Sequence, residues 1–314
     1  MRTLLTGVTG FAGGHLAEAL LARGDSVVGL GRSAEWPPSL THLAGQVPLH
    51  ACDLRDAQRV DGLLREIRPD RICHLAGYAR TGRSFEEAEA AWDGNLTVTR
   101  RLYDAIARWG GRPRILFIGS GLIYGGGDPP PDESAPLRPA SPYAASKAAA
   151  DLLSYQVYCA PGLEVVRARP FNHVGPRQSP EFAVAHFARQ VVAIERGRQE
   201  PVLQTGDLRP LRDLTDVRDT VAAYVLLLEK GRPGEAYNVA SGQDWPMQTV
   251  LDRLLALAGV KADVRQRTEL VRPTELSAVR GDASKLRRET GWQSRYSLDQ
   301  TLADTLDYWR REAV

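Results

Sequence analysis

The chain has 314 residues, 43% hydrophobic and 25% charged, with a formal net charge of +2 at pH 7. These are globular proportions, and a near-balanced charge with scattered arginines excludes the basic footprint of a nucleic-acid binder. Cys52, Cys73 and Cys159 are an odd set without metal-ligand spacing, so they predict small buried hydrophobes in a reducing cytoplasm and no metal site.

Short apolar runs alternate with amphipathic segments from the first residues onward. Strands are expected at 2–6 ("RTLLT"), 26–30 ("SVVGL"), 47–50 ("VPLH"), 71–75 ("RICHL"), 114–118 ("RILFI") and 164–168 ("EVVRA"). Helical patterns lie between them, among them "GHLAEALLARG", "AQRVDGLLREI" and the long stretch 86–109. Strands that are apolar throughout, separated by helices, predict a doubly wound parallel sheet of Rossmann type. Beyond residue 170 the pattern loosens: helices near 181–196, 216–231 ("DVRDTVAAYVLLLEKG"), 246–258, 283–290 and 298–312, with short strands near 201–204 and 235–241. We expect a dinucleotide-binding domain over 1–168 with returning segments near 205–240. A smaller α/β substrate domain is expected over 169–204 and 241–314. The Gly/Pro-rich stretch 125–142 interrupts the pattern just before a helix and reads as an active-site loop. No leader pattern precedes the first strand, and no apolar run approaches the ~20 residues of a membrane span. A soluble cytoplasmic protein without a membrane partner is expected, and "FAVAHFARQVVAIE" reads as core packing.

"LLTGVTGFAGGHL" places Gly7, Gly10 and Gly13 between the first strand and a helix. Glycines there let a pyrophosphate approach the free N–H groups of the helix start. An NAD-selective site offers an acid after the second strand, whereas this chain has Gly31 and Arg32. A glycine leaves room and an arginine pairs with a 2′-phosphate, so NADP(H) is favoured over NAD(H); the alternative for Arg32 is a solvated loop residue. Asp53 in "CDLRD" is placed to accept from an adenine amino group, or alternatively to cap the next helix.

Tyr143 and Lys147 in "SPYAASK" stand four apart on a predicted helix and share one face. A lysine there lowers the phenol's pKa and binds the nicotinamide ribose, and the phenol exchanges a proton with a carbonyl or hydroxyl. Ser120, ending the strand 114–118, is placed to hold the same substrate oxygen. Asn95 precedes that strand on a helix and reads as structural rather than chemical.

On "TGVTGFAGGHL", "HLAG", "GNLTVT", "GSGLIYG", "SPYAASK" and "RPFNHVGP", in that order along the whole chain, the sequence resembles the extended short-chain dehydrogenase/reductase family. "RPFNHVGPRQ", "RPLRDLTDVRD", "AYNVASG" and "RPTELSAVRGDASKLRRETGW" are similar to its GDP-mannose 4,6-dehydratase and GDP-4-keto-6-deoxy-mannose reductase branch. Gly77 and Gly121 depart from the family pattern, which has bulkier or polar residues there. The resemblance adds Phe11, Ala12, Leu54, Leu75, Ala76, Gly77, Asn95 and Pro170 to the cofactor contacts. It implies a nucleotide-sugar clamp of Asn172, Arg212, Arg272 and Glu275, the last reading guanine. The alternatives for these are surface salt bridges and, for Asn172, a turn residue. Arg177 and Arg189 are further candidates. His173 is either a substrate hydrogen-bond donor or a satisfied structural histidine. Family dehydratases carry a glutamate two residues before the tyrosine of "YG" to remove the sugar C5 proton; Leu122 stands there, so dehydration is disfavoured unless Asp132 or Glu133 substitutes. What the resemblance implies is NADPH-dependent reduction of the C4 ketone of GDP-4-keto-6-deoxy-D-mannose to GDP-D-rhamnose, by a homodimer paired through a four-helix bundle. The alternatives are a UDP-hexose 4-epimerase with bound NAD and, less favoured, a non-catalytic NADP-binding regulator.

Overall fold

The structure is a computed structural model that describes residues 1–270 and 276–312. In chain order the first half runs β1 (Arg2–Thr6), α1 (Phe11–Ala22), β2 (Ser26–Gly31), β3 (Leu49–Ala51), α2 (Ala57–Ile67), β4 (Arg71–His74), α3 (Ala88–Trp92), α4 (Val98–Trp109), β5 (Arg114–Ile118), α5 (Pro142–Cys159) and β6 (Val165–Pro170). The second half continues with β7 (Asn172–Val174), α6 (Ala183–Glu195), β8 (Val202–Thr205), β9 (Leu211–Asp216), α7 (Val217–Lys230) and β10 (Ala236–Val239). It ends with β11 (Asp244–Pro246), α8 (Met247–Ala258), β12 (Asp263–Gln266), β13 (Ala278–Val279), α9 (Ser284–Thr290) and α10 (Leu298–Arg311).

Seven strands form one parallel sheet in the order β10-β6-β5-β4-β1-β2-β3. The period-2 alternation of side chains divides each strand between the two faces. Leu5, Cys73, Leu116 and Val166 pack under α1 and α7, while Leu4, Ile72, Ile115, Phe117 and Val165 pack under α2, α4 and α5. Both faces being covered explains why these strands read as unbroken apolar runs. The chain leaves β1 toward β2 and β3 and then returns to build β4, β5 and β6 on the other side. The order therefore reverses between β1 and β4, and their carboxyl ends open a crevice.

β7, β9, β11 and β13 form a second sheet, and β8 pairs with β12. A separate core of Val184, Phe187, Val191, Leu251, Leu254, Leu302 and Leu306 ties α6, α8 and α10 together beside it. The sequence pattern did not predict β7, β9, β11, β12 or β13. β9 ("LRDLTD") buries Arg212, Asp213 and Asp216 and so lacks an apolar run, whereas β12 is exposed throughout. The stretch 86–109 is interrupted by one π-helical turn, Asp93–Thr97, between α3 and α4. Cys159 is exposed, against the expectation of three buried cysteines, because it closes the solvent end of α5; all three are free thiols.

The loop 125–142 is anchored from below by buried charge. Asp151 on α5 accepts from Arg167 Nη1 at 2.7 Å and from Arg169 Nη2 and Nε at 2.7 and 3.0 Å. Arg169 Nη1 donates to the Tyr124 hydroxyl at 2.6 Å, and that hydroxyl donates to Asn238 Oδ1 at 2.9 Å. The carboxylate is fully buried, so removing it strands two guanidiniums in a low-dielectric interior. Asp151→Asn is expected to cost about 3–5 kcal/mol, read as a lowered urea midpoint at unchanged slope.

Candidate active site

The crevice between β1 and β4 is narrow because glycine permits it. Gly7 has φ +71°, and a Cβ there would lie 2.8 Å from the Ala76 backbone nitrogen; a Cβ on Gly13 would lie 2.2 Å from Gly7 O. Gly10 is the N-cap of α1 and offers no side-chain cap, so the first N–H groups of the helix face an open edge. α1 begins at Phe11, and Gly13 therefore lies inside its first turn rather than ahead of it. These are the features of a dinucleotide cradle: no side chain fills the space, and the helix dipole favours an anion. Leu75, Ala76 and Gly77 follow β4 on the opposite wall, and Pro170 ends β6.

Arg32 follows β2 and is exposed. The end of β3 lies beside it, since Cys52 N donates to Gly31 O at 2.8 Å and the Arg32 charge lowers the Asp53 pKa. Asp53 is not the cap of α2: Asp56 accepts from Arg59 N and fills that role. The Asp53 carboxylate instead takes Arg55 Nη2 at 2.6 Å, and this bond is the main reason its pKa is lowered. Leu54 beside it is buried.

One chain of hydrogen bonds joins the crevice to α5. The Thr99 hydroxyl donates to the Asn95 carbonyl at 2.5 Å, so it can only accept from His74 Nε2 at 3.0 Å. His74 Nδ1 then accepts from Thr6 Oγ1 at 2.8 Å, and Thr6 Oγ1 accepts from Ala76 N at 3.1 Å. Burial, and next the Lys147 charge, push the His74 pKa down to about 3, which keeps the ring neutral in this single tautomer. Asn95 sits in the π-helical turn. Its Oδ1 accepts from Tyr78 N at 3.0 Å and its Nδ2 donates to Ser146 Oγ at 2.9 Å, which in turn donates to Tyr143 O at 2.8 Å. Both ends of the Asn95 amide are thus spent on protein, and its place is structural. Gly77 is required beside it, since a Cβ there would lie 2.7 Å from Asn95 Oδ1.

α5 starts at Pro142 because Ser141 caps it, accepting from Ala144 N at 3.1 Å. Tyr143 and Lys147 lie in its first two turns on one buried face. Lys147 Nζ donates to Ile118 O at 3.0 Å, and burial lowers its pKa to about 8. Burial raises the Tyr143 phenol above its usual value, and a hydrogen bond from Ser120 pulls the other way. No Lys147 contribution to the phenol is resolved, so the expected electrostatic lowering of Tyr143 is not evident here. Ser120 Oγ accepts from Leu122 N at 3.2 Å, which leaves its O–H to donate. The structure therefore brings Ser120, Tyr143 and Lys147 together at the carboxyl end of β5.

The expected clamp residues fare differently. Arg272 and Glu275 lie outside the described residues. Asn172, on β7, has its Nδ2 buried without a partner among the described residues. Arg212 on β9 is buried and donates to Leu211 O and Leu276 O at 2.8 and 2.9 Å. Arg177 departs from its expected role: at φ +74° its guanidinium is bound to Glu18 at 2.6 and 2.7 Å and to His15 at 2.7 Å, on the flank of α1. Arg189 lies exposed on α6. His173 Nδ1 donates to Phe171 O at 3.2 Å, and burial lowers its pKa, so the expected donor is a neutral ring whose Nε2 can only accept. Its ring stacks on Phe11 with 5.8 Å between centroids, which places it over the cradle. Sequence reasoning missed Phe171, whose ring fills the space above Gly121 and Gly281. It also missed the engagement of the loop's acids: Glu133 Oε1 accepts from Asn238 N, and Asp132 Oδ1 from Ser134.

Residues 4–305 match a family model described as GDP-mannose 4,6 dehydratase. The chain is 34% identical over 312 residues to the GDP-6-deoxy-D-mannose reductase of Pseudomonas aeruginosa, covering 98% of this chain and 97% of that protein. It superposes on the structure of RMD from Pseudomonas aeruginosa complexed with NADPH with a TM-score of 0.85, at 32% identity and 98% coverage of both chains. It also superposes on the Thermus thermophilus UDP-glucose 4-epimerase in complex with NAD, with a TM-score of 0.89, at 31% identity and 100% coverage of both. The fold and cradle thus belong to proteins that hold a nicotinamide dinucleotide. Gly7→Ala is expected to weaken NADPH binding by about tenfold or more, measured by cofactor fluorescence titration. Gly24→Ala imposes the same positive-φ strain (+80°) with nothing within 4 Å, and leaves the affinity unchanged.

Proposed function

The chain belongs to the GDP-mannose 4,6-dehydratase family of extended short-chain dehydrogenases/reductases and is an NAD(P)-dependent oxidoreductase, and from that premise we propose that it reduces the C4 ketone of GDP-4-keto-6-deoxy-D-mannose to GDP-D-rhamnose. The observation that carries this reading is a site with two hydroxyls and a lysine and no free acid among its described neighbours. Ser120, Tyr143 and Lys147 converge, whereas Leu122 stands where a dehydratase needs a carboxylate. Gly7, Gly10, Phe11, Ala12, Gly13, Leu75, Ala76 and Gly77 would hold the dinucleotide, and Arg32 beside Gly31 favours the 2′-phosphate of NADP(H). The bound cofactor supplies the hydride.

The protein's part is to hold and protonate the oxygen. The Ser120 O–H donates to the carbonyl oxygen and fixes it beside Tyr143. Because burial keeps the phenol protonated at neutral pH, Tyr143 has a proton to give as charge develops on that oxygen. Lys147, with one N–H bond spent on Ile118 O, keeps further donors for the ribose. Asn172 Nδ2, Arg212 and His173 Nε2 line the substrate side. In this reading 1–168 with the returning helix α7 and strand β10 form the cofactor unit, and the remainder forms the GDP-sugar unit. Exposed Leu152 and Tyr155 on α5 and Trp92 on α3 supply an apolar face for a four-helix dimer contact. Three free thiols fit the cytoplasm. Among the described residues no helix is long and apolar enough to cross a membrane.

With GDP-4-keto-6-deoxy-mannose the purified protein is expected to consume NADPH faster than NADH and release GDP-rhamnose, identified by NMR. Tyr143→Phe loses about 10²- to 10⁴-fold in kcat with NADPH affinity retained. Protein that carries tightly bound NAD and interconverts UDP-hexoses would instead establish the 4-epimerase reading. The pH profile of kcat/KM reports the free enzyme. Lys147 carries its charge below about 8 and loses it above, so reduction is expected to fall on the alkaline side of about pH 8. With His74 held neutral there is no histidine limb near neutrality. A profile still flat at about pH 10, near the ordinary lysine value, would contradict the assignment.

A further inference from the structure

The 3-10 turn Gly121–Tyr124 directly follows Ser120 at the ligand edge of the sheet. Three of its four residues present nothing to the crevice. The space a Gly121 side chain would take is filled by the Phe171 ring, 2.6 Å from a Cβ built there, and Gly281 meets the same ring from its own side at 2.3 Å. Ile123 is fully buried. Tyr124 is buried, stacks on Phe171 with 6.3 Å between centroids, and gives its hydroxyl to Asn238. Leu122 is the one residue of the turn left partly exposed. Its N–H reaches Ser120 Oγ at 3.2 Å, so it is tied to the hydroxyl that faces Tyr143.

We propose that Leu122 is the residue by which this site selects a sugar with a methyl group rather than a hydroxymethyl group at C6. The proposal rests on the reductase reading above. In a 4-ketopyranose the carbonyl carbon is flanked by C3, which bears a hydroxyl, and by C5, which bears C6. With its main-chain N–H bonded to the residue that holds the carbonyl oxygen and its side chain partly exposed, Leu122 is placed to meet one of these two flanks. The isobutyl group has no hydrogen-bonding atom, and it packs against the core that contains Phe171 and Tyr124, so it matches the apolar flank. A methyl at C6 packs against it at no polar cost. A C6 hydroxyl would give up water there without a partner, and an apolar pocket rejects an added hydroxyl by about 10²-fold.

The test runs the reaction in reverse with NADP⁺ on GDP-D-rhamnose and GDP-D-mannose, which differ only in the C6 hydroxyl. Wild-type protein is expected to favour GDP-D-rhamnose in kcat/KM by about 10²-fold. Leu122→Ser and Leu122→Asn each reduce that ratio by about tenfold or more, chiefly by improving GDP-D-mannose. Leu122→Met, apolar and similar in volume, keeps it. A wild-type ratio near unity overturns the inference without any variant. So does an unchanged ratio in either folded polar variant while wild type oxidises GDP-D-rhamnose, and both of these outcomes leave the reductase reading intact. Wild-type protein that binds NADP⁺ but oxidises neither sugar overturns the reading and the inference together.

Discussion

Everything in the site hangs on how closely the ends of β1 and β4 approach. Gly7, at positive φ, lets its backbone sit against Ala76 with no room for a Cβ between them. The same approach brings Thr6 within reach of both Ala76 N and the His74 ring. Because His74 is buried and neutral, it has one donor and one acceptor, and both are used. From there the hydrogen bonds run through Thr99 and Asn95 to Ser146 and the first turn of α5. The cofactor cradle and the Tyr143–Lys147 face are therefore parts of one polar lattice rather than two neighbouring features. A fully satisfied buried network is rigid, and rigidity at this scale is what proton transfer between fixed oxygens requires.

The second sheet reaches the same edge by a different route, with buried charge in place of apolar runs. Asp213 on β9 accepts from Ser241 N, Ser241 Oγ and Gly242 N at 2.6–2.9 Å, tying the strand next to Arg212 to the loop after β10. Asp151 and its two arginines do the same beneath Tyr124 and the loop 125–142. Phe171 then seals the seam, because Gly121 and Gly281 both yield the space its ring needs. The two glycines are coupled by that one ring. What reads in the sequence as an unusual glycine at 121 is half of an aromatic socket.

The seven-stranded sheet was legible because its strands are apolar on both faces: β1 and β5 begin and end at the predicted residues, and β2, β4 and β6 deviate by only one or two. Ser120, Tyr143, Lys147 and the glycine cradle were legible for a related reason, since each is fixed by local spacing on an element the pattern reveals. What stayed hidden depends on partners far apart in the chain. Arg177 could be read as a clamp until Glu18 and His15, roughly half the chain away, claimed its guanidinium. Asp53 was weighed between a ligand and a cap, and neither reading anticipated Arg55. The donor or acceptor character of His173 is set by one backbone carbonyl, a matter of loop geometry that no residue pattern encodes. β9 was invisible because it buries charged side chains whose partners are distant in the chain: Asp213 is held by Ser241 and Gly242, Arg212 by Leu276 O and Asp216 by Thr301.

In the proposed reduction and its reverse the same phenol gives and takes the proton through one transition state, as acid in one direction and as phenolate base in the other. A phenol serving as acid for reduction needs only to keep its proton until charge appears on the substrate oxygen, and desolvation helps it do so. The hydrogen bond from Ser120 to Tyr143 works against the shift that burial imposes on the phenol. A dehydratase needs a second proton acceptor near C5, and the side chain of Leu122 can accept none. The proposed ketone reduction needs no such group, and an apolar wall beside the carbonyl suits it.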